Sequence, residues 1–293
     1  MSEQKRVVGF IGGSGVYSAD ALEGAQRMVM KTPWGDPSDA LMRGRINGTD
    51  VVFLARHGEG HRLPPGAVNY RANIDAMKRA GVTDLISLSA CGSFREELPP
   101  GSFVIADQFI DRTSGRENTF FGPGFVAHVS MAQPVCPALA GAAVASCAAL
   151  DIRHAQGGTY LAINGPQFSS LAESNLYRSW GCDVIGMTNM PEAKLAREAE
   201  LPYATVAMVT DFDCWHEKEG PVEVSKILAV MAENTKNAAR LINDLTNRLG
   251  RVRTPSPLGM ETTLDMAVIT APAARDPDLT EKLDAVAGRY LAQ

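Results

Sequence analysis

Four short stretches of this chain carry groups suited to gripping an anion. Gly12-Gly13-Ser14-Gly15 follows the apolar run 7–11. Its glycines let backbone N–H groups come close to an anion, and the serine hydroxyl adds a donor. Arg56-His57-Gly58 ends a second run, and a guanidinium offers a planar fork that matches phosphate. Ser89-Ala90-Cys91-Gly92-Ser93 follows a third run and Met187-Thr188 a fourth. Ligands of open α/β sheets bind beyond the carboxyl ends of the strands. Hydroxyls, backbone donors and one fixed positive charge, with no acid among them, suit inorganic phosphate. Each stretch alone is equally a plain exit from strand to loop. The glycine loop is not a dinucleotide fingerprint, whose third glycine would fall at Ser18, and it lacks the Gly-Lys-Ser/Thr of a phosphate-binding P-loop. His57 and His61 have the spacing of helical zinc ligands, but Gly58 and Gly60 oppose a helix there, so no metal is expected.

A second kind of chemistry sits at Asp211-Phe212-Asp213, after the apolar run 204–209. Residues two apart on a strand share a face. Two close carboxylates repel, which raises one pKa and keeps a proton available. Such a pair accepts from an amino group and donates to a ring nitrogen. An Asx-type turn or a solvated pair fits the same spacing.

The elements that must position these groups alternate along the chain. Strand patterns fall at 7–11, 84–89, 103–110, 159–163, 183–185 and 204–209. Runs 41–46 and 51–55 form a hairpin about Asn47-Gly48, both tolerant of positive φ. Helical patterns cover 70–80 behind an Asn69 cap, 171–180, 192–200 after Pro191, and 222–249 ahead of Gly250. The Ala-rich stretch 137–150 is too short to span a bilayer and reads as a buried helix. Alternating strands and helices predict an α/β fold, a single domain with a central mixed sheet flanked by helices. The domain spans 1–250. Residues 251–259 are a candidate linker, and 251–293 form a tail whose helix, 276–291, packs on the body or on a neighbouring subunit.

At 293 residues the chain can bury a sizeable core without disulfides. Lys and Arg total 28 against 33 Asp and Glu, a net charge of −5, so no global field draws nucleic acid or an anionic membrane. Any anion must be met by a local pocket. The five cysteines form no C-x-x-C pair, and an odd number reads as reduced thiols in the cytoplasm. No apolar core follows Met1–Arg6, so no secretory signal is expected.

Taken in order, the motifs carry a resemblance. Besides those above, they include Thr32-Pro33-Trp34-Gly35, Asn69-Tyr70-Arg71-Ala72-Asn73, 107–113 (DQFIDRT), Gly165-Pro166-Gln167-Phe168-Ser169-Ser170, Ala172-Glu173-Ser174 and Thr210-Asp211-Phe212-Asp213-Cys214-Trp215. Over about residues 6–250 the chain resembles the trimeric purine nucleoside phosphorylase family, and within it the members acting on 5′-methylthioadenosine. The resemblance implies that phosphate displaces adenine, giving 5-methylthioribose 1-phosphate, with phosphate as co-substrate and no cofactor. It implies that Ser14, Arg56, His57, Ser89, Ala90 and Thr188 hold phosphate. Met187 would meet the ribose, Phe168 would pack on the purine, and Asp211 and Asp213 would bind its edge. Ser169 and Val224 would tune substrate choice, and His128 would reach the pocket of an adjacent subunit in a homotrimer.

The residues fit that chemistry in their own right. Leaving adenine is negative unless N7 is protonated, which suits Asp211 as general acid. Adenine's exocyclic amine is a donor, so carboxylates at 211 and 213 favour it over 6-oxopurines, which would prefer an amide. Where relatives often read Glu-Gly-Pro-Arg-Phe, this chain has Asn164-Gly165-Pro166-Gln167-Phe168, which removes a charge pair and leaves the fine specificity open. Two other readings stand beside phosphorolysis: a nucleosidase using water, disfavoured by the Arg56-His57 pair, and a non-catalytic purine-nucleoside sensor.

Overall fold

Side-chain alternation along the central strands decides which helices they meet. A computed structural model describes residues 4–13, 22–216 and 224–293. Its strands are β1 (Val7–Gly12), β2 (Glu23–Met28), β3 (Leu41–Ile46), β4 (Thr49–Ala55), β5 (Asp84–Ser93), β6 (Phe103–Ile105), β7 (Gln108–Asp111), β8 (His154–Gln156), β9 (Thr159–Ala162), β10 (Val184–Gly186) and β11 (Tyr203–Asp211). All eleven join one mixed sheet. β1 lies parallel between β4 and the first half of β5, while β11 runs parallel along the other edge of β5. The last two residues of β5 pair antiparallel with β10, which leads on to β9 and β7. β5 is therefore the strand on which both arms of the sheet are registered.

Val8 and Phe10 of β1 enter one apolar core; Val7 and Ile11 enter the other. Helices α1 (Tyr70–Arg79), α2 (Pro137–Ala149), α3 (Leu171–Ser179), α4 (Asn189–Glu198) and α5 (Val224–Leu249) cover the sheet. Ile74 and Met77 of α1 share a core with Ala193 and Ala196 of α4. Leu139 and Ala143 of α2 share the opposite core with Leu241 and Leu245 of α5. The expected α/β class, mixed sheet and β3–β4 hairpin hold, with Asn47 and Gly48 at φ of 51° and 72°. Asn69 caps α1 by accepting from the Ala72 N–H at 3.1 Å.

Several expected elements differ. The run 103–110 is two strands, because β6 pairs with β11 and β8 whereas β7 pairs with β9, and the change of partner falls at Asp107. β2 and β8 lack an alternating apolar pattern; β2 is an exposed edge strand. Helix α2 is buried on one side only, at Leu139, Ala143, Ser146 and Cys147. Of the helix expected over 222–249, residues 222 and 223 lie outside the described residues, and the rest is α5.

The segment 251–259 is pinned rather than free. The Arg253 N–H donates to the Gln4 carbonyl at 2.9 Å, and its guanidinium meets Asp84 and Glu261. The helix expected over 276–291 is broken into α6 (Pro277–Lys282) and α7 (Gly288–Leu291). Leu283, Val286 and Ala287, between the two pieces, all reach the main core. Leu283 has no solvent exposure. Leu283→Ala is therefore expected to cost about 2–5 kcal/mol, as for other buried leucines, read from the urea unfolding midpoint. An unchanged midpoint would remove the C-terminal segment from the core.

Candidate active site

The parallel strands β1, β4, β5 and β11 all end toward one cavity of about 270 Å³. Arg56, His57, Ser89, Ala90, Thr188, Met187, Phe168, Ser169, Asp211 and Asp213 line it, with Gly13 from the first glycine loop. Ser14 lies outside the described residues. Ile163, Ile185, Met208, Ile227 and Met231 supply apolar wall. Val224 does not line it, and neither does His128, which was expected to reach the pocket of an adjacent subunit. His128 stands elsewhere on the chain, its N–H donating to the Ala267 carbonyl at 2.8 Å. Val224 opens α5, 62% exposed, one turn before Ile227. Asn164 also stays out of the cavity, its side-chain oxygen accepting from the Ser114 N–H at 2.9 Å.

Ser89 does not end a strand. β5 continues to Ser93, and Ser89 pairs across from Ala207. It reaches the cavity because β1 pairs only as far as Ser87 and β10 begins only at Gly92, which leaves that edge of β5 open between them.

Arg56 is almost fully buried, and its fork is occupied. Nε donates to Glu192 Oε2 at 2.8 Å and Nη2 to Oε1 at 3.1 Å. Nη2 also reaches Ser87 Oγ at 2.7 Å and the Ile11 carbonyl, and Nη1 reaches the Leu88 carbonyl. Burial works against the charge of Arg56, and Glu192 holds it in place. The network continues: Tyr203 Oη donates to Glu192 Oε1 at 3.0 Å, Asn189 Nδ2 to Tyr203 Oη at 3.0 Å, and Ser89 Oγ to Asn189 Oδ1 at 2.9 Å. The fixed positive charge read from the sequence is thus neutralised where it stands. His57 adds none. Burial first, then the charge of Arg56, pushes its imidazole down to about 4, with the Leu63 carbonyl opposing and His61 reinforcing the shift.

Asp211 and Asp213 come together by a turn rather than by strand alternation. β11 ends at Asp211, and Asp213 stands beyond it at φ 52°, its N–H donating to Asp211 Oδ1 at 2.8 Å. The turn is held by buried Phe212 and by Trp215, whose Nε1 donates to the Ser93 carbonyl at 2.7 Å. Burial raises both carboxyls; the charge of Asp213 is the last of the causes acting on Asp211, behind the opposing bonds from Thr210 and the Asp213 N–H. Desolvation, more than mutual repulsion, raises the two carboxyls. Gly92 makes the approach possible, since a Cβ there would lie 2.9 Å from Asp211 Oδ1.

The chain that builds this cavity matches a known family. The phosphorylase superfamily model covers residues 7–247. The chain belongs to the phosphorylase superfamily. Among superfamily members it is 60% identical to the S-methyl-5′-thioadenosine phosphorylase of Bradyrhizobium diazoefficiens, over 97% of this chain and 98% of that one. It is 57% identical to that of Rhodospirillum rubrum, over 99% and 100%. The crystal structure of a methylthioadenosine phosphorylase from an antarctic soil metagenomic library superposes with a TM-score of 0.88 at 44% identity, covering 95% and 98%. The methylthioadenosine phosphorylase of Schistosoma mansoni in complex with adenine gives a TM-score of 0.81 at 35% identity, covering 88% and 96%.

Four residues shape this superfamily site without having been marked by the sequence: Glu192, Asn189, Tyr203 and Arg116. Arg116 Nη1 donates to the carbonyls of Met187 and Met190, both at 2.7 Å, and Nη2 to that of Asn164 at 2.9 Å, tying two loops together. The one available signal for Glu192 was its place one turn after Thr188. Removing one partner of a buried ion pair leaves an uncompensated charge. Glu192→Ala is expected to lower stability by roughly 3–5 kcal/mol, measured by chemical denaturation. A loss within experimental error would mean that Arg56 does not depend on it.

Proposed function

We propose that this protein carries out the reversible phosphorolysis of S-methyl-5′-thioadenosine, giving adenine and 5-methylthioribose 1-phosphate for purine and methionine salvage. It is a pentosyltransferase of the purine nucleoside phosphorylase type. The observation that carries the substrate reading is the pair of carboxylates, half-buried Asp211 and buried Asp213, in the same cavity as Arg56, His57, Ser89, Ala90 and Thr188. The names of the close relatives point the same way.

In the reaction the C1′–N9 bond breaks and its electron pair leaves with the base. Asp211, its carboxyl raised above the ordinary range by burial, is the acid that gives a proton to N7 so that adenine leaves neutral. The ribosyl centre becomes cationic, and a phosphate oxygen at the Arg56 end stabilises and then attacks it. Asp213 accepts from the exocyclic amine. Phe168, at 45% exposure, packs on the purine, Met187 meets the ribose, and Ser169 adjoins the base. Ser14, by the same reading, joins the phosphate set. No cofactor is needed beyond phosphate itself.

The assembly is a homotrimer in which a neighbouring copy completes the mouth. Val224 and Leu228 leave apolar surface on α5, while exposed Met266 and Ile269 flank Ala267, the backbone partner of His128. His128 of one copy would reach toward Val224 of the next. The five free thiols suit a reducing, cytoplasmic setting.

Phosphate dependence tests this reading directly. Adenine release from 5′-methylthioadenosine should vanish in phosphate-free buffer and return on adding phosphate; release at an undiminished rate would make the enzyme a hydrolase, and no release under either condition would make it a sensor. Asp211→Asn should cut turnover by at least about a hundredfold. In the parent enzyme kcat/KM should fall as pH rises through the elevated pKa of Asp211, because the acid form is lost. The Asp211→Asn variant should lack that alkaline limb.

A further inference from the structure

The anion end of the cavity has donors in short supply. Arg56 and Glu192 cancel in charge, and four of the five N–H groups of Arg56 are engaged by Glu192, Ser87 and the Ile11 and Leu88 carbonyls. The Ser89 hydroxyl donates to Asn189. His57 is tied through Nδ1 to the Leu63 carbonyl at 2.8 Å, a partner that can only accept, so the Nδ1 position carries the hydrogen. The ring is held flat against His61, with centroids 4.2 Å apart. That leaves Nε2 with a lone pair and no protein partner among the described residues. An anion oxygen brought to it would meet lone pair with lone pair.

Resting on the reading that phosphate occupies this end, we propose that the site binds a tetrahedral oxyanion together with one proton, shared between an anion oxygen and His57 Nε2. Monohydrogen phosphate brings that proton as its own P–O–H, which donates to Nε2, so nothing is taken from solvent. An anion without a hydroxyl, such as sulfate, must draw one proton from solvent onto the imidazole, making it a donor. The charged and titratable groups around the ring are Arg56 beside it on the chain, Glu192 and Tyr70 behind Arg56, and the stacked His61. Burial and Arg56 by themselves keep the imidazole neutral, down to about 4. A full negative charge at about 4 Å is enough to lift such a pKa by about three units, to near neutrality. The arrangement selects for phosphate over permanently deprotonated anions at neutral and higher pH, although shape and charge are similar.

Titration calorimetry on the intact protein, in buffers of different ionisation heat, tests this. Sulfate at about pH 7 should bind with uptake of close to one proton per site, and its affinity should fall toward tenfold per pH unit above neutrality. Inorganic phosphate at about pH 8, where the monohydrogen dianion dominates, should bind with uptake near zero. His57→Gln, whose amide donates at any pH, should bind sulfate without proton uptake and without that pH dependence. Sulfate binding to the parent with no uptake and a flat pH profile overturns the proposal, as does failure of sulfate to bind even at about pH 5.5 where phosphate binds. The proton count on the parent decides the matter if the variant does not fold. Absence of phosphate binding at every pH would instead overturn the placement of phosphate itself.

Discussion

The ion pair between Arg56 and Glu192 is the contact on which the anion end of this molecule is built. Arg56 leaves β4, and its guanidinium touches β1 at Ile11, β5 at Ser87 and Leu88, and α4 at Glu192. One planar group thus fixes the relative positions of three strands and the helix that follows Thr188. Buried ion pairs contribute little net stability against replacement by well-packed apolar groups, because desolvation offsets much of the attraction. Here the pair fixes geometry. It sets the direction of the fork, and through Tyr203 and Asn189 it also sets the direction of the Ser89 hydroxyl.

The opposite end of the cavity uses burial the other way. Asp211 and Asp213 have no arginine or lysine among the causes acting on them, and desolvation raises both carboxyls. A leaving purine needs a proton, and a carboxyl whose pKa is raised by burial is suited to give one. A charge-neutral anion end and a desolvated carboxyl end in one cavity suit a reaction in which negative charge leaves one substrate while an anion attacks it.

Much of this was legible in the chain. β1, β4 and β11 are continuous apolar runs because both faces of the sheet are covered, and such runs stand out. The hairpin announced itself through Asn47-Gly48. β2 did not, because an exposed edge strand needs no apolar face. The strand ends bearing Arg56, Thr188 and Asp211 were readable, yet Ser89 was misplaced, since the edge that exposes it is left open by where its neighbours stop. For Asp211 and Asp213 the shared strand face failed and the Asx-type turn, the other reading of that spacing, held, since the Asp213 N–H closes on Asp211 Oδ1. Glu192 was silent, because a glutamate in a helix looks like a solvated charge until the fold carries it to an arginine on a distant strand.

β5 has a further consequence. Its first half registers β1 and, through it, the strand carrying Arg56; its last two residues register β10; its far edge registers β11 with Asp211. None of these three branches holds a complete pocket. A chain with one of them still open lacks the strand end that brings Arg56, Thr188 or Asp211. Catalytic competence should therefore appear only with the last cooperative step of folding, and recovery of activity during refolding should lag behind recovery of secondary structure.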